Sequence, residues 1–215
     1  MDNEAERKRR ARAMNRALKR MFPETGTALR YKTPWQLLVA TILSAQCTDK
    51  KVNEVTKTLF KKYRALNDYV NASPKEFEAD IKPTGFYRNK AKHILGAARA
   101  VKERYGGKVP QTMKELITLP GVARKTANVV QQNAFGAVEG LAVDTHVERF
   151  ARKFGLTDHT DPKKIERDLM ELLPRSEWFS FSHRLIDYGR AYCPARPHDC
   201  ATHPLTKLYP PATNK

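Results

Sequence analysis

Cysteine is scarce in this chain. Its three cysteines, Cys47, Cys193 and Cys200, are too few for the dense disulfide framework of a small secreted domain. Long apolar runs are missing: nothing approaches the ~18 consecutive apolar residues of a membrane span. Met1 to Arg10 contains no apolar segment of the kind that opens a secretion signal, so a cytoplasmic protein is expected. Acidic residues are outnumbered, 23 Asp and Glu against 40 Lys and Arg, for a net charge of +17. Such an excess points to polyanionic partners and says nothing about fold. Strict apolar–polar alternation is absent too, so no strand is expected.

Helical spacing fills the space these absences leave. Residues 4–21 set Met14, Leu18 and Met21 among many arginines and lysines, the pattern of a basic amphipathic helix. Thr33-Pro34 opens a second helix, apolar nearly all round and therefore buried. Helices are expected over 49–63, from Ser73-Pro74, and over 87–105, ending at Gly106-Gly107. A short one over 112–119 meets Pro120-Gly121, and another spans 123–135. Asp144 or Thr145 caps the next, and two more lie near 161–173 and 177–190. Beyond Tyr192, Pro194, Pro197, Pro204, Pro210 and Pro211 predict an irregular tail.

The stretch from Leu119 to Val130, LPGVARKTANVV, is the most informative. It reads as a tight turn feeding a helix N-terminus, where backbone N–H groups attract an anion. Lys125 stands there, near the positive end of the helix dipole. A lysine disfavoured as a cation can serve as a nucleophile. Asp144 follows nineteen residues later in Val143-Asp144-Thr145-His146-Val147. About ten residues of helix after Lys125 rise ~15 Å, and residues 136–143 can return up to ~26 Å if extended. The spacing therefore permits the amine and the carboxylate to meet. A faint echo relates Gly85-Phe86-Tyr87-Arg88 to Gly121-Val122-Ala123-Arg124, both as turns before helices.

Helix, Pro-Gly turn, helix is a helix-hairpin-helix, and with Val143-Asp144-Thr145-His146 it resembles the endonuclease III family of DNA glycosylases. Leu43-Ser44-Ala45-Gln46-Cys47-Thr48-Asp49, the Gly85–Ala91 segment, Val109-Pro110 and Tyr188-Gly189-Arg190 agree in order, from about residue 15 to about residue 200. The resemblance implies an all-α fold of two helical domains. A helical-barrel domain would span 27–139, with the hairpin at about 112–135. Residues 1–26 with 140–215 would make the second domain. It also implies a monomer acting on double-stranded DNA that carries damaged bases or abasic sites. The activity would be removal of oxidised or ring-saturated pyrimidines, with strand cleavage by β-elimination through a lysine Schiff base. Lys125 and Asp144 would be the catalytic pair. Gly121, Ala123, Arg124, Thr126 and Arg88 would contact DNA, and Gln46 and Phe86 would fill the gap left by a flipped nucleotide. A glycosylase for another base and a non-catalytic hairpin module are the competing readings. His146 stays open between ligand, supporting and ordinary helix roles.

Two positions depart from the family pattern. Ala123 stands where the hairpin usually has glycine, which predicts a weaker phosphate grip. The family commonly carries a [4Fe–4S] cluster on four cysteines near the C-terminus. Here Cys193 and Cys200 keep two ligand positions, while His203 and Tyr209 occupy the others. The expectation is therefore a degenerate site and no cofactor, with zinc on Cys193, Cys200, His203 and either His198 or Asp199 as the lesser reading. The tail would then be held by Leu205, Leu208 and Tyr209.

Overall fold

The computed structural model describes residues 4–209; residues 1–3 and Pro210 and Pro211 of the expected irregular tail lie outside them. Eleven α-helices occur among the described residues: α1 (Glu4–Met21), α2 (Pro34–Leu43), α3 (Asp49–Lys62), α4 (Leu66–Val70), α5 (Pro74–Ile81), α6 (Tyr87–Arg104), α7 (Met113–Leu116), α8 (Arg124–Phe135), α9 (Thr145–Lys153), α10 (Pro162–Leu172) and α11 (Trp178–Ala191). No strand is present among these residues. The fold is all-helical, as the patterning requires.

Backbone contacts group the helices into two compact units, Thr27–Glu139 and residues 4–26 with 140–209. The first holds α2–α8. Thr33 caps α2 through its hydroxyl, which accepts from Gln36 N–H, and Pro34 takes the first helical position. Its residues Trp35, Leu37, Leu38, Val39, Ala40, Ile42 and Leu43 are all buried, so α2 is the central post, packed against α3, α6 and α8. Trp35, Tyr63, Tyr69 and Phe77 form an aromatic cluster beside it, edge-on except for the tilted Tyr63–Tyr69 pair. Each such side chain contributes on the order of 1.5–3 kcal/mol of apolar burial.

The second unit gathers α1, α9, α10 and α11. The buried stripe of α1, Ala11, Met14 and Leu18, packs on Phe150, Phe154, Leu169, Phe181 and Leu185. Arg10 reaches in from the same stripe and donates to the carbonyls of Phe154 (2.9 Å) and Gly155 (3.2 Å). A cation thus closes the C-terminal end of α9, where the helix dipole favours positive charge. Asp161 caps α10 by accepting from Lys164 N–H, with Pro162 at its first position.

Candidate functional site

The hairpin lies within the Thr27–Glu139 unit. Thr112 caps α7, which is shorter than the 112–119 helix expected because its last turn bends into the loop. Val122 N–H closes the turn on Leu119 O at 3.1 Å. Gly121 has φ +76°, and a Cβ there would sit 2.7 Å from His93 Cβ and 2.9 Å from Cγ. Both its backbone and the proximity of α6 therefore demand glycine. Ala123 is the N-cap of α8 and offers no side-chain cap. Its φ of −86° is ordinary for alanine, so the departure from glycine strains nothing. Arg124, Lys125 and Thr126 form the first turn of α8; Arg124 and Lys125 are exposed and Thr126 is half-buried.

Gln46 and Phe86 lie in the same unit and share an unusual backbone. They alone among the described non-glycine residues have positive φ, 54° and 47°. Phe86 is 68% exposed, contrary to the way a large aromatic is ordinarily placed. Gln46 is exposed on a turn after α2. Lys90 is a residue that the sequence reading passed over. Buried, it donates through Nζ to Leu43 O and Thr84 O, both at 2.8 Å. It thereby ties the end of α2, which leads to Gln46, to the turn that presents Phe86. Burial pushes the Lys90 ammonium below its usual pKa. Phe86 opens α6, and His93 on α6 meets the hairpin turn. One helix, over about 10 Å of its length, thus supports both features. Arg88 is exposed in the first turn of α6, its guanidinium 5.3 Å from the Tyr87 ring centre.

Asp144 belongs to the other unit and is the N-cap of α9. Its Oδ1 accepts from His146 N–H (2.9 Å) and Val147 N–H (3.0 Å), so Asp144 and not Thr145 is the cap. His146 packs against α11: a Cβ on Gly189 would fall 2.4 Å from His146 Nδ1. That contact explains the glycine in Tyr188-Gly189-Arg190.

Residues 39–175 match the family model described as HhH-GPD superfamily base excision DNA repair protein. The chain is 52% identical over 208 residues to the Endonuclease III of Synechocystis sp., covering 97% of this chain and 95% of that protein. The chain belongs to the endonuclease III family. The Endonuclease III of Bacillus subtilis is 48% identical over 189 residues, 87% of this chain and 86% of that one. A solved non-covalent Endonuclease III–DNA complex superposes with a TM-score of 0.89 at 43% identity, covering 94% of each chain. A trapped Endonuclease III–DNA covalent intermediate also gives 0.89 at 43% identity, over 94% of this chain and 95% of that one. The family is one of base-excision repair enzymes, and the competing reading as a non-catalytic module is not favoured.

The expectation that the tail takes no cofactor is corrected. One ligand atom from each of Cys193, His198, Cys200 and His203 lies within 4.8 Å of every other, a set able to hold a metal. The expectation placed Tyr209 at the fourth position. Its ring packs on Phe154, centroids 4.8 Å apart, in the tail-holding place expected of it, and His198, one of the two alternatives for the zinc set, completes the group. Asp199 Oδ1 accepts from Ala201 N–H in the local turn. The family's cluster is ordinarily held by four thiolates. Two thiols and two imidazoles do not make that set, so no part of the chemistry below is routed through a cluster.

Proposed function

We propose that this chain is a bifunctional DNA glycosylase and abasic-site lyase acting on oxidised or ring-saturated pyrimidines in double-stranded DNA. The observation carrying the reading is Lys125, placed in the first turn of an α8 that has no side-chain cap, directly after a glycine-dependent hairpin turn. The hairpin residues Gly121, Ala123, Arg124 and Thr126 would hold a backbone phosphate at the helix N-terminus, with Arg88 on a second phosphate. Phe86 and Gln46 would enter the stack vacated by the flipped nucleotide. The net charge of +17 suits this partner.

Lys125 Nζ, as the neutral amine, would attack C1′ as the glycosidic bond breaks and the base leaves. Loss of the amine proton and opening of the sugar give the Schiff base. Removal of a C2′ proton then expels the 3′ phosphate, and water releases the lysine. Asp144 would accept a proton and offset positive charge on the sugar. Its capping bonds fix the carboxylate's orientation in advance. No helix of the described residues is long and apolar enough to cross a membrane, and we place the enzyme in the cytoplasm as a monomer on DNA.

Borohydride trapping on duplexes with a single thymine glycol or abasic site tests the reading. The native chain should form a covalent adduct, and Lys125→Ala should form none while still binding DNA. Asp144→Asn keeps a good helix cap and removes the charge. Its base release should fall by at least about 100-fold, in line with loss of a general acid–base group. A native chain that binds these duplexes but never traps would overturn the assignment.

A further inference from the structure

We propose that Cys193, His198, Cys200 and His203 bind a single Zn²⁺ in a closed tetrahedral site that fastens the C-terminal tail to its unit, where relatives carry an iron–sulfur cluster. The donor set comes first. Two sulfurs and two imidazole nitrogens suit one tetrahedral zinc. With two thiolates the ion leaves no net charge, so no further anionic ligand is needed.

The spread of the ligand atoms points the same way. Around one zinc, with bonds of ~2.3 Å to sulfur and ~2.0 Å to nitrogen, tetrahedral ligand atoms stand roughly 3.3–3.8 Å apart. The observed limit of 4.8 Å lies about 1 Å beyond that range, within reach of small side-chain movements. Ligands of a four-iron cluster each bind a different iron, which sets them further apart. The fourth thiolate such a cluster would need is replaced in the sequence by Tyr209, whose ring is packed on Phe154 with Lys153 Nζ 5.1 Å from its centre.

The imidazoles are arranged as ligands. His198 Nδ1 lies 2.6 Å from Arg196 O. A carbonyl only accepts, so Nδ1 carries the proton and Nε2 is left as the lone-pair nitrogen. That nitrogen is the one facing Cys200 Sγ, at 3.5 Å. A backbone carbonyl fixing the far side of a ligating histidine is a recurrent outer contact of zinc sites. His203 Nδ1 is buried with no hydrogen-bond partner, a cost that a bound ion would remove. Outer donors reach the sulfurs as well. Lys153 Nζ lies 2.7 Å from Cys200 Sγ, and Arg149 Nη1 lies 3.6 Å from Cys193 Sγ.

The ion would act on structure alone, because four protein ligands leave no open coordination position. Cys193 is buried just past the end of α11. Cys200 O accepts from Thr206 Oγ1 at 2.6 Å, and His203 O accepts from Thr206 N–H at 3.0 Å. Between His203 and Thr206 lies Leu205, 1% exposed in the core. One ion thus links the end of α11 to the segment that covers Phe154. The exposed His198 leaves an entry path. Binding releases the two thiol protons.

Elemental analysis of the full-length protein, expressed with both iron and zinc available, tests this directly. About one zinc per chain is expected, with iron below a tenth of that. Cobalt exchanged for zinc should give the strong visible bands of tetrahedral Co²⁺ with a thiolate charge-transfer band, which Cys200→Ser should weaken. His198→Ala alters an exposed residue and should stay folded by circular dichroism. Its zinc affinity, by competition with a chromophoric chelator, should fall at least about tenfold. Iron and inorganic sulfide in stoichiometric amounts would overturn the proposal. So would zinc affinity equal in the native chain and His198→Ala, or a metal-free native chain that takes up no added Zn²⁺.

Discussion

At Phe86 local stability and the proposed role pull in opposite directions. A non-glycine residue in the left-handed region costs roughly 1–2 kcal/mol, and 68% exposure of a phenylalanine forfeits most of its burial. Neither helps the free protein fold; both help if the ring must enter a DNA stack. Phe86→Gly separates the two. Glycine takes φ 47° without strain, so the variant should be more stable by about 1 kcal/mol in denaturant unfolding. Single-turnover excision of a thymine glycol should slow by about tenfold or more with the wedge gone. Unchanged excision would remove the wedge from the mechanism. The Pro83-Thr84-Gly85 turn made an outward-pointing Phe86 legible in the sequence. The strained turn at Gln46 was not, because glutamine carries no signal for positive φ and the apolar run of α2 seemed to continue into it.

Between elements, Lys90 is the tie that pattern reading could not see. Its helical position is one of several lysines along α6, and only the folded chain brings Leu43 and Thr84 to its ammonium. Helix ends, by contrast, were largely legible, because Thr33-Pro34 and Asp161-Pro162 are local signals that act on their own backbone. The short α4 was missed: its cap is Asp68, reaching back to Arg64 and Ala65 N–H, and five residues show no periodicity. Lys90→Met keeps the apolar stem and leaves two buried carbonyls unpaired, so it should cost about 1–3 kcal/mol at pH 7. The pH dependence has a definite sign. Burial lowers the Lys90 pKa from 10.5, so the folded state disfavours its protonation. That penalty is full below the folded pKa and vanishes once pH exceeds 10.5. The stability gap between native and variant should therefore widen as pH rises toward 10.5, and chemical denaturation across that range measures it. A gap that narrows would show that the lysine is not held as described. Excision should fall with it, since Gln46 and Phe86 lose their common anchor.

Across the whole chain, the least local feature is that α1 shares a unit with residues 140–209, more than a hundred positions away. Periodicity gave α1 an apolar face but no address for it; only the resemblance supplied one. Beside the Arg7–Asp158 ion pair, Glu177 adds an electrostatic part to that long-range closure. Its carboxylate accepts from Lys19 Nζ on α1 at 3.3 Å and from Arg184 Nη1 on α11 at 3.1 Å. Burial pushes its pKa up, but donors from Asn15, Lys19 and Arg184 together outweigh it, and the net shift is downward from 4.5. A carboxyl whose folded pKa is depressed adds stability at all pH above its unfolded value, and that stability drains away as pH falls through the folded one. Glu177→Gln should thus be less stable than the native chain by about 1–3 kcal/mol at pH 7. The two should converge as pH drops below 4.5, where the native carboxyl takes up its proton and becomes nearly isosteric with the amide. Thermal unfolding of both proteins between pH 7 and pH 3 decides it. Parallel curves with a constant offset would mean that Glu177 acts through shape and not charge, and that α1 is held by its apolar stripe and its other polar contacts, Arg10 to the Phe154 and Gly155 carbonyls among them.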